Sequence, residues 1–348
     1  MIKRIVTSTL VTAGLFASLG VVQAKESRFQ DINHHWGQSV IEKAVTQAYI
    51  DGYSDGTFKP DAAVSRAEFI KMLMAAIGQQ LTSESGEWYE PYTKAATQSG
   101  VHRDMDFTQD MNGEISRLEI VRLITRATNI ELRNPAITVE DPALVYSAAK
   151  KGLIQGLEGG RIGLSESTTR AQAVMVIDRV LRLKDGGVLP VDKGAIQLTD
   201  LSLTGTNFMS VLGQPASRKF PVEYRIGEVG LTIEEITVID GNDPTTPFAS
   251  EIQEQNVSGS YAFSFKLSWD LRKLQQDLQV ADYFRMDELI PGSVQGSGPE
   301  FVTYEDSGIT RTKLIVSVDK EQLKEYLLKG GWNYAIGGKE YPLFYEQS

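Results

Sequence analysis

The spacing of hydrophobic residues changes near the middle of the chain. Up to residue 184, apolar residues recur every three or four positions, which is the period of a helix buried on one face. Beyond residue 190 they alternate with polar residues, which is the period of a strand. The pattern predicts a multi-domain α + β protein, all-α before a linker at residues 185–190 and β-rich over residues 191–348.

The helical part repeats itself. Arg66, Arg117 and Arg170 lie 51 and 53 residues apart and share one tetrapeptide frame: Ser65-Arg66-Ala67-Glu68, Ser116-Arg117-Leu118-Glu119 and Thr169-Arg170-Ala171-Gln172. A hydroxyl residue followed three positions later by Glu or Gln is a capping box, which starts a helix. Each frame follows a shorter predicted helix and a turn-rich loop. We therefore expect three helix-loop-helix units, at residues 27–80, 84–131 and 137–184.

The arginine of each frame falls on the first helical residue, where the helix dipole disfavours a cation. For a single instance, pairing with a nearby carboxylate is a sufficient explanation. Three recurrences favour a second interpretation, because a helix N-terminus with a guanidinium beside it suits a carboxylate ligand. The three arginines are candidate anion-binding residues.

Composition limits the chemistry of the chain. It has 348 residues, no cysteine and only three histidines, all at or before residue 102, so the C-terminal half cannot use imidazole or thiol catalysis. The net charge is −10, and residues 190–348 carry 14 basic against 23 acidic residues. This acidity argues against nucleic acid as a partner. We expect no cofactor and no metal.

The first 24 residues are typical of a secretory signal peptide. Lys3 and Arg4 precede an uncharged apolar run, and Val22-Gln23-Ala24 fits a cleavage site. An uncleaved membrane anchor is the alternative, since the run is nearly long enough to span a bilayer. No later segment is apolar enough, so we expect an exported protein without a membrane span after cleavage.

The first unit strongly resembles the S-layer homology (SLH) domain. The resemblance rests on Phe29-Gln30-Asp31-Ile32, on His35-Trp36, on Gly52-Tyr53-Ser54-Asp55-Gly56-Thr57-Phe58-Lys59-Pro60 and on the first capping box. The second unit, which opens at Trp88, looks like a copy that has lost the loop pattern. The third keeps its glycines and capping box but has no tryptophan.

The resemblance implies a three-pronged pseudo-trimer that holds an exported protein on the cell wall. The implied ligand is a secondary cell-wall polysaccharide, commonly one that bears a pyruvate ketal. By this likeness the polysaccharide-binding residues are Arg66, Arg117 and Arg170, with Trp36, Asp55 and Gly56 in the first groove. Arg66 is expected to contribute more than Arg170. For Trp36, burial in the core of its own helix is an equally open interpretation.

The C-terminal half resembles no family that we recognise. Strands are predicted around residues 220–226, 261–267, 314–318 and 341–345, and helices over residues 270–283 and 319–329. We expect a β-sandwich with two helices. The favoured interpretation is a non-enzymatic, wall-anchored protein that displays this domain. The alternative is a wall-anchored hydrolase that uses a carboxylate pair.

Overall fold

The structure is a computed structural model that describes residues 28–79, 81, 86–107, 110–157, 161–253, 255, 257–286, 294–328 and 331–344. The predicted signal peptide at residues 1–24 lies outside this range. Within these residues, no helix combines the length and the hydrophobicity needed to cross a bilayer.

Six helices lie in the N-terminal half of the described chain as three pairs in sequence order: α1 (Gln38–Thr46) and α2 (Arg66–Ala76), α3 (Glu90–Gln98) and α4 (Arg117–Thr128), and α5 (Asp141–Lys150) and α6 (Arg170–Lys184). The closest helix contacts run between these pairs, because α2 packs against α3, α4 against α5 and α1 against α6. The predicted capping boxes at Ser65, Ser116 and Thr169 are all present. The predicted apolar faces meet in one core, where Phe69, Ile124 and Ile177 are buried together. The helical periodicity therefore identified the packed faces correctly.

Three short extended segments join the helix pairs through a closed ring of backbone hydrogen bonds. Val64 donates to the carbonyl of Thr168 at 2.9 Å, Thr168 donates to Ile115 at 3.1 Å, and Ile115 donates to Val64 at 3.0 Å. Each residue lies two positions before the first residue of a helix, so the ring brings the three helix N-termini close together.

The C-terminal half is built on antiparallel sheets. The described strands are β1 (Val222–Ile226), β2 (Val229–Asp240), β3 (Ser260–Asp270), β4 (Leu278–Gln279), β5 (Phe284–Met286), β6 (Val294–Ser297), β7 (Phe301–Val302), β8 (Ile309–Asp319), β9 (Asn333–Ile336) and β10 (Lys339–Pro342). A five-stranded sheet has the order β1-β2-β3-β8-β6, a three-stranded sheet the order β10-β9-β5, and β4 pairs with β7.

The two larger sheets share one aromatic core. Phe265 of β3 packs edge-on against Phe284 of β5, with ring centroids 5.3 Å apart, and Phe263 packs against Trp332 at 5.0 Å. Among the residues that the structure describes, the opposite, outer face of the five-stranded sheet is covered at one end only. There Ile239, Ala262 and Ile315 pack with residues of the helix that follows the linker.

The predicted helices of this half require correction. Residues 270–283 do not form a helix: β3 continues to Asp270, whose carboxylate then accepts the Arg272 backbone N–H at 3.1 Å and turns the chain. The second predicted helix is confirmed as α9 (Lys320–Leu328). Two helices were missed, α7 (Lys193–Thr204) and α8 (Phe208–Leu212). Helix α8 is positioned by buried Asn207, whose amide exchanges two hydrogen bonds with the Val238 backbone.

The predicted linker makes close contacts. Leu189 is buried in the core of the helical half, and α7 packs against α5. Gly152 is left-handed, with a φ of +72°, and a Cβ there would lie 2.7 Å from the Pro190 carbonyl oxygen. Residues 189–204 are therefore packed onto the third helix pair.

Candidate functional site

Two of the three capping-box arginines are buried in ion pairs that join neighbouring units. Arg66 is 4% exposed, and its Nε and Nη2 donate to the two carboxylate oxygens of Glu119 at 2.9 and 3.1 Å. Arg170 donates through Nη1 to Glu68 at 2.9 Å. Each arginine thus binds the acidic residue of another unit's capping box. For Arg66, the first of the two interpretations above, pairing with a nearby carboxylate, therefore describes its contacts.

Arg117 has a different environment because the third capping box contains Gln172 in place of an acid. Its guanidinium donates to the backbone carbonyls of Ile162 and Gln155, at 2.9 and 2.7 Å. The pKa of Arg117 lies below its usual value, because burial and the positive charge of Arg179 lower it more than the negative charge of Glu166 raises it. Arg117 is half-buried and is held by carbonyl dipoles.

A groove of about 250 Å³ lies beside Arg170, where all three units contribute residues. We call it the Arg170 groove. It is lined by Tyr49, Ile50, Asp51, Gly52, Tyr53, Glu68, Lys71, Met72, Trp88 and Arg170. Arg66, Trp36, Asp55 and Gly56 are not among its lining residues. Of the predicted binding residues, the structure brings only Arg170 into this groove.

Aromatic rings and cations alternate along the groove. The Arg170 guanidinium carbon lies 4.7 Å from the centroid of the Tyr53 ring, and the Lys71 ammonium lies 5.9 Å from that of Trp88. Burial raises the pKa of Tyr53, whose hydroxyl donates to Glu68 at 3.3 Å. The rings therefore offer flat apolar surfaces next to positive charge.

Lys71 is the cation in this groove that has no ion pair with a described residue. Arg170 already binds Glu68, whereas Lys71 forms no ion pair or hydrogen bond with any residue that the structure describes. Trp88 beside it is 49% exposed. A ligand with a negative group could bind Lys71 without displacing a protein carboxylate.

The other predicted residues lie on the surface elsewhere. Trp36 is 59% exposed, which contradicts its interpretation as a core residue; its ring lies 5.0 Å from that of His35. Asp55 and Gly56 form an exposed turn in which the Asp55 carboxylate accepts hydrogen bonds from the backbone and hydroxyl of Thr57. These bonds lower the pKa of Asp55. The turn shapes the loop that carries Tyr53.

The second unit has a buried charge cluster at the place where the first unit has its loop motif. Arg126 donates through Nη1 and Nη2 to the two carboxylate oxygens of Asp106, at 2.6 and 2.8 Å, and His102 lies 3.2 Å away. Arg122, at the position equivalent to Lys71, is bidentate with Asp141 of the third unit. In the second unit, the cation equivalent to Lys71 is therefore already paired with a protein carboxylate.

Sequence reasoning missed Lys71, Tyr53 and Trp88 as groove residues. A signal existed for Trp88, because it stands two residues before its helix, as Trp36 does before α1. Tyr53 belongs to the loop motif that carried the resemblance. Lys71 had no signal, since its role depends on the approach of the second unit.

Comparison with known families supports the resemblance. The S-layer homology domain family model matches residues 28–70. These residues therefore form an SLH domain, which contributes Asp51, Gly52, Tyr53 and Glu68 to the Arg170 groove.

Known relatives match different shares of the chain. An amylopullulanase of Thermoanaerobacterium thermosulfurigenes is 26% identical over 47% of this chain and 10% of its own length. A cellulosome-anchoring protein of Acetivibrio thermocellus is 42% identical over 14% and 11%. An S-layer protein of Bacillus licheniformis is 21% identical over 83% and 35%. The chain matches between about a tenth and a third of the length of these relatives.

Proposed function

We propose that residues 28–184 anchor the protein to a secondary cell-wall polysaccharide, and that the Arg170 groove holds a sugar residue of that polymer. The SLH domain and its S-layer and anchoring relatives identify a cell-surface, cell-wall-associated protein. The observation that supports the ligand is the pairing of Trp88 and Tyr53 with Lys71 in one groove.

The chemistry of the groove fits an acidic sugar. Aromatic faces pack on the apolar face of a sugar ring, and Trp88 is exposed enough to do so. Lys71 would bind the carboxylate, such as that of a pyruvate ketal, by a charge-assisted hydrogen bond. Arg170 holds the groove wall through Glu68 and the Asp51 and Phe58 carbonyls.

The closed ring of hydrogen bonds at Val64, Ile115 and Thr168 supports the proposed pseudo-trimer. Each of the three units donates one bond and accepts one, as a threefold arrangement requires. The diverged second and third units then support the groove of the first, to which they contribute Trp88 and Arg170.

Co-sedimentation with cell-wall sacculi tests the anchoring. Lys71→Ala should weaken binding about tenfold or more, the value of a lost charge-assisted bond. Lys184→Ala, the same change at an exposed site on α6, is the matched control. Chemical removal of the non-peptidoglycan polymer should abolish binding. Unchanged sedimentation after that removal, or equal binding of the two variants, would contradict the proposal.

We infer that the C-terminal half displays a binding domain and does not hydrolyse the wall. A glycosidase needs a carboxyl group that holds a proton near neutral pH. Asp270 lines a polar groove of this half, and Arg272 lowers the pKa of its carboxyl to about 2, so Asp270 is not a carboxyl that holds such a proton. The hydrolase alternative predicts release of reducing ends from isolated wall, which we expect to be absent.

A further inference from the structure

The uncovered end of the outer sheet face carries a second groove, of about 530 Å³. Two rows of residues lie side by side across β1, β2, β3 and β8: Glu223, Thr232, Ser268 and Arg311 in the first, and Arg225, Gly230, Asp270 and Ile309 in the second. We call this the sheet groove. Small residues in the middle form the floor and long charged residues form the walls. Three strand spacings, about 14 Å, separate the walls on β1 and β8.

The floor of the groove contains a side chain, that of Ser268, whose hydrogen-bonding group is unpaired. Its side chain is 8% exposed, and its hydroxyl has no hydrogen-bond partner among the described residues. Buried polar groups in folded proteins almost always have a partner, because an unpaired one destabilises the fold. A ligand in the groove would supply that partner.

The walls also carry unpaired groups. Arg225 and Arg311 form no ion pair with a described residue, and neither do Glu223 and Glu234. Three of the five arginines of residues 190–348 line this groove, although this half of the chain is strongly acidic. Solubility alone does not account for so many guanidinium groups at one place.

The balance of charges points to the ligand. Arg225, Arg272 and Arg311 are matched by three carboxylates in the lining, those of Glu223, Glu234 and Asp270, so the groove is formally neutral. An anion would meet three repelling carboxylates. A sugar hydroxyl donates to a carboxylate and accepts from a guanidinium, so it can use both kinds of wall. Ile309 adds an exposed apolar contact.

The geometry points to a neutral oligosaccharide site in the sheet groove, separate from the Arg170 groove. The hydroxyl of Ser268 forms a hydrogen bond with the sugar from the floor of the groove, and the guanidinium groups of Arg225 and Arg311 donate hydrogen bonds to it from the two walls.

Calorimetric titration of the purified protein with chitotetraose and maltotetraose tests this site. At least one of the two should bind saturably. Because the ligand is neutral, its affinity should change less than about twofold between about 50 mM and about 300 mM NaCl. Arg311→Ala should weaken binding by about fivefold or more. Arg285→Ala, at an exposed position on β5, should leave it unchanged.

Two further variants test whether the saccharide binds in the sheet groove. Ser268→Ala should weaken binding without lowering the denaturant midpoint, since the hydroxyl is unpaired in the free protein. Lys71→Ala should bind as the wild type does, whatever its effect on wall anchoring. The proposal is overturned if neither saccharide binds, or if Arg311→Ala and Ser268→Ala bind the saccharide as the wild type does.

Discussion

The carboxylate of Asp192 accepts the backbone N–H of Gly156 at 2.9 Å, a bond that ties the start of α7 to the loop of the third unit. Its other oxygen accepts the N–H of Ala195 at 3.0 Å and caps α7. One side chain therefore serves both the C-terminal half and the helical half. The junction between them is a structural element in its own right.

Asp192→Ala should lower the free energy of unfolding by about 1–2 kcal/mol, because it removes a helix cap and a second bond together. Asp192→Asn should recover only the helix cap, since its oxygen still accepts the Ala195 N–H but its NH2 group cannot accept the Gly156 N–H. Urea denaturation of both variants measures the difference. Wild-type stability for Asp192→Ala would show that the junction contributes nothing.

The buried pair of Arg66 and Glu119 predicts a stability effect that the sequence did not suggest. Glu119→Gln should destabilise the fold by about 3–5 kcal/mol, because it leaves the Arg66 guanidinium buried without a counter-charge. Arg66→Ala should have a comparable effect through the unpaired Glu119. The double variant Arg66→Ala/Glu119→Ala should lose less than the sum of the two. Additive losses in thermal unfolding would contradict this coupling.

Acid should destabilise the second unit through Asp106, which is 1% exposed. Burial alone would raise its pKa, but hydrogen bonds from His102, Arg126 and the Arg103 backbone lower it to about 2. A carboxyl whose pKa is lower in the folded state stabilises the fold above its unfolded pKa. That contribution, about 2 kcal/mol, should be lost as the pH falls from about 4 to about 2. When the free energy of unfolding is measured against pH, Asp106→Asn should not show this loss of stability. Asp104→Asn, a change at an exposed position, should still show it.

The two tryptophans at equivalent helix positions give a matched pair for the Arg170 groove. Trp88→Ala should reduce affinity for the wall polymer about tenfold, because the ring lies beside Lys71 in the groove. Trp36→Ala should have a much smaller effect, since Trp36 lies outside it. Co-sedimentation of both variants with sacculi measures the two affinities. A larger loss of affinity for Trp36→Ala than for Trp88→Ala would place the ligand at the surface around Trp36 and not in the Arg170 groove.

What could be predicted from the sequence was the local structure. The capping boxes depend on residues three positions apart, so they can be read directly, and the helical faces follow from their period. The partners of the arginines could not be found this way, because Arg66 and Glu119 are 53 residues apart and Arg170 and Glu68 are 102 apart. Which of the arginines borders a groove depends on how the units meet.

The errors in the C-terminal half have a similar cause. Residues 270–283 contain enough apolar positions to suggest a helix, but Gln275 adopts a left-handed φ of +53° and Asp270 makes a turn with Arg272. Helix α7 was missed because its apolar residues face two different neighbours. Leu198 and Leu201 pack on the sheet, whereas Ile196 packs on the helical half, so no single stripe is visible.

The ring at Val64, Ile115 and Thr168 also fixes how many units the assembly can contain. A closed cycle has no free end, so a fourth unit would find no donor or acceptor to join. Loss of one unit would leave an N–H in one remaining segment and a carbonyl in the other without partners. The ring uses only the extended segment of each unit, so it does not depend on the residues of the loops. The second unit contributes Ile115 and a capping box to this closed assembly although it lacks the loop motif of the first unit.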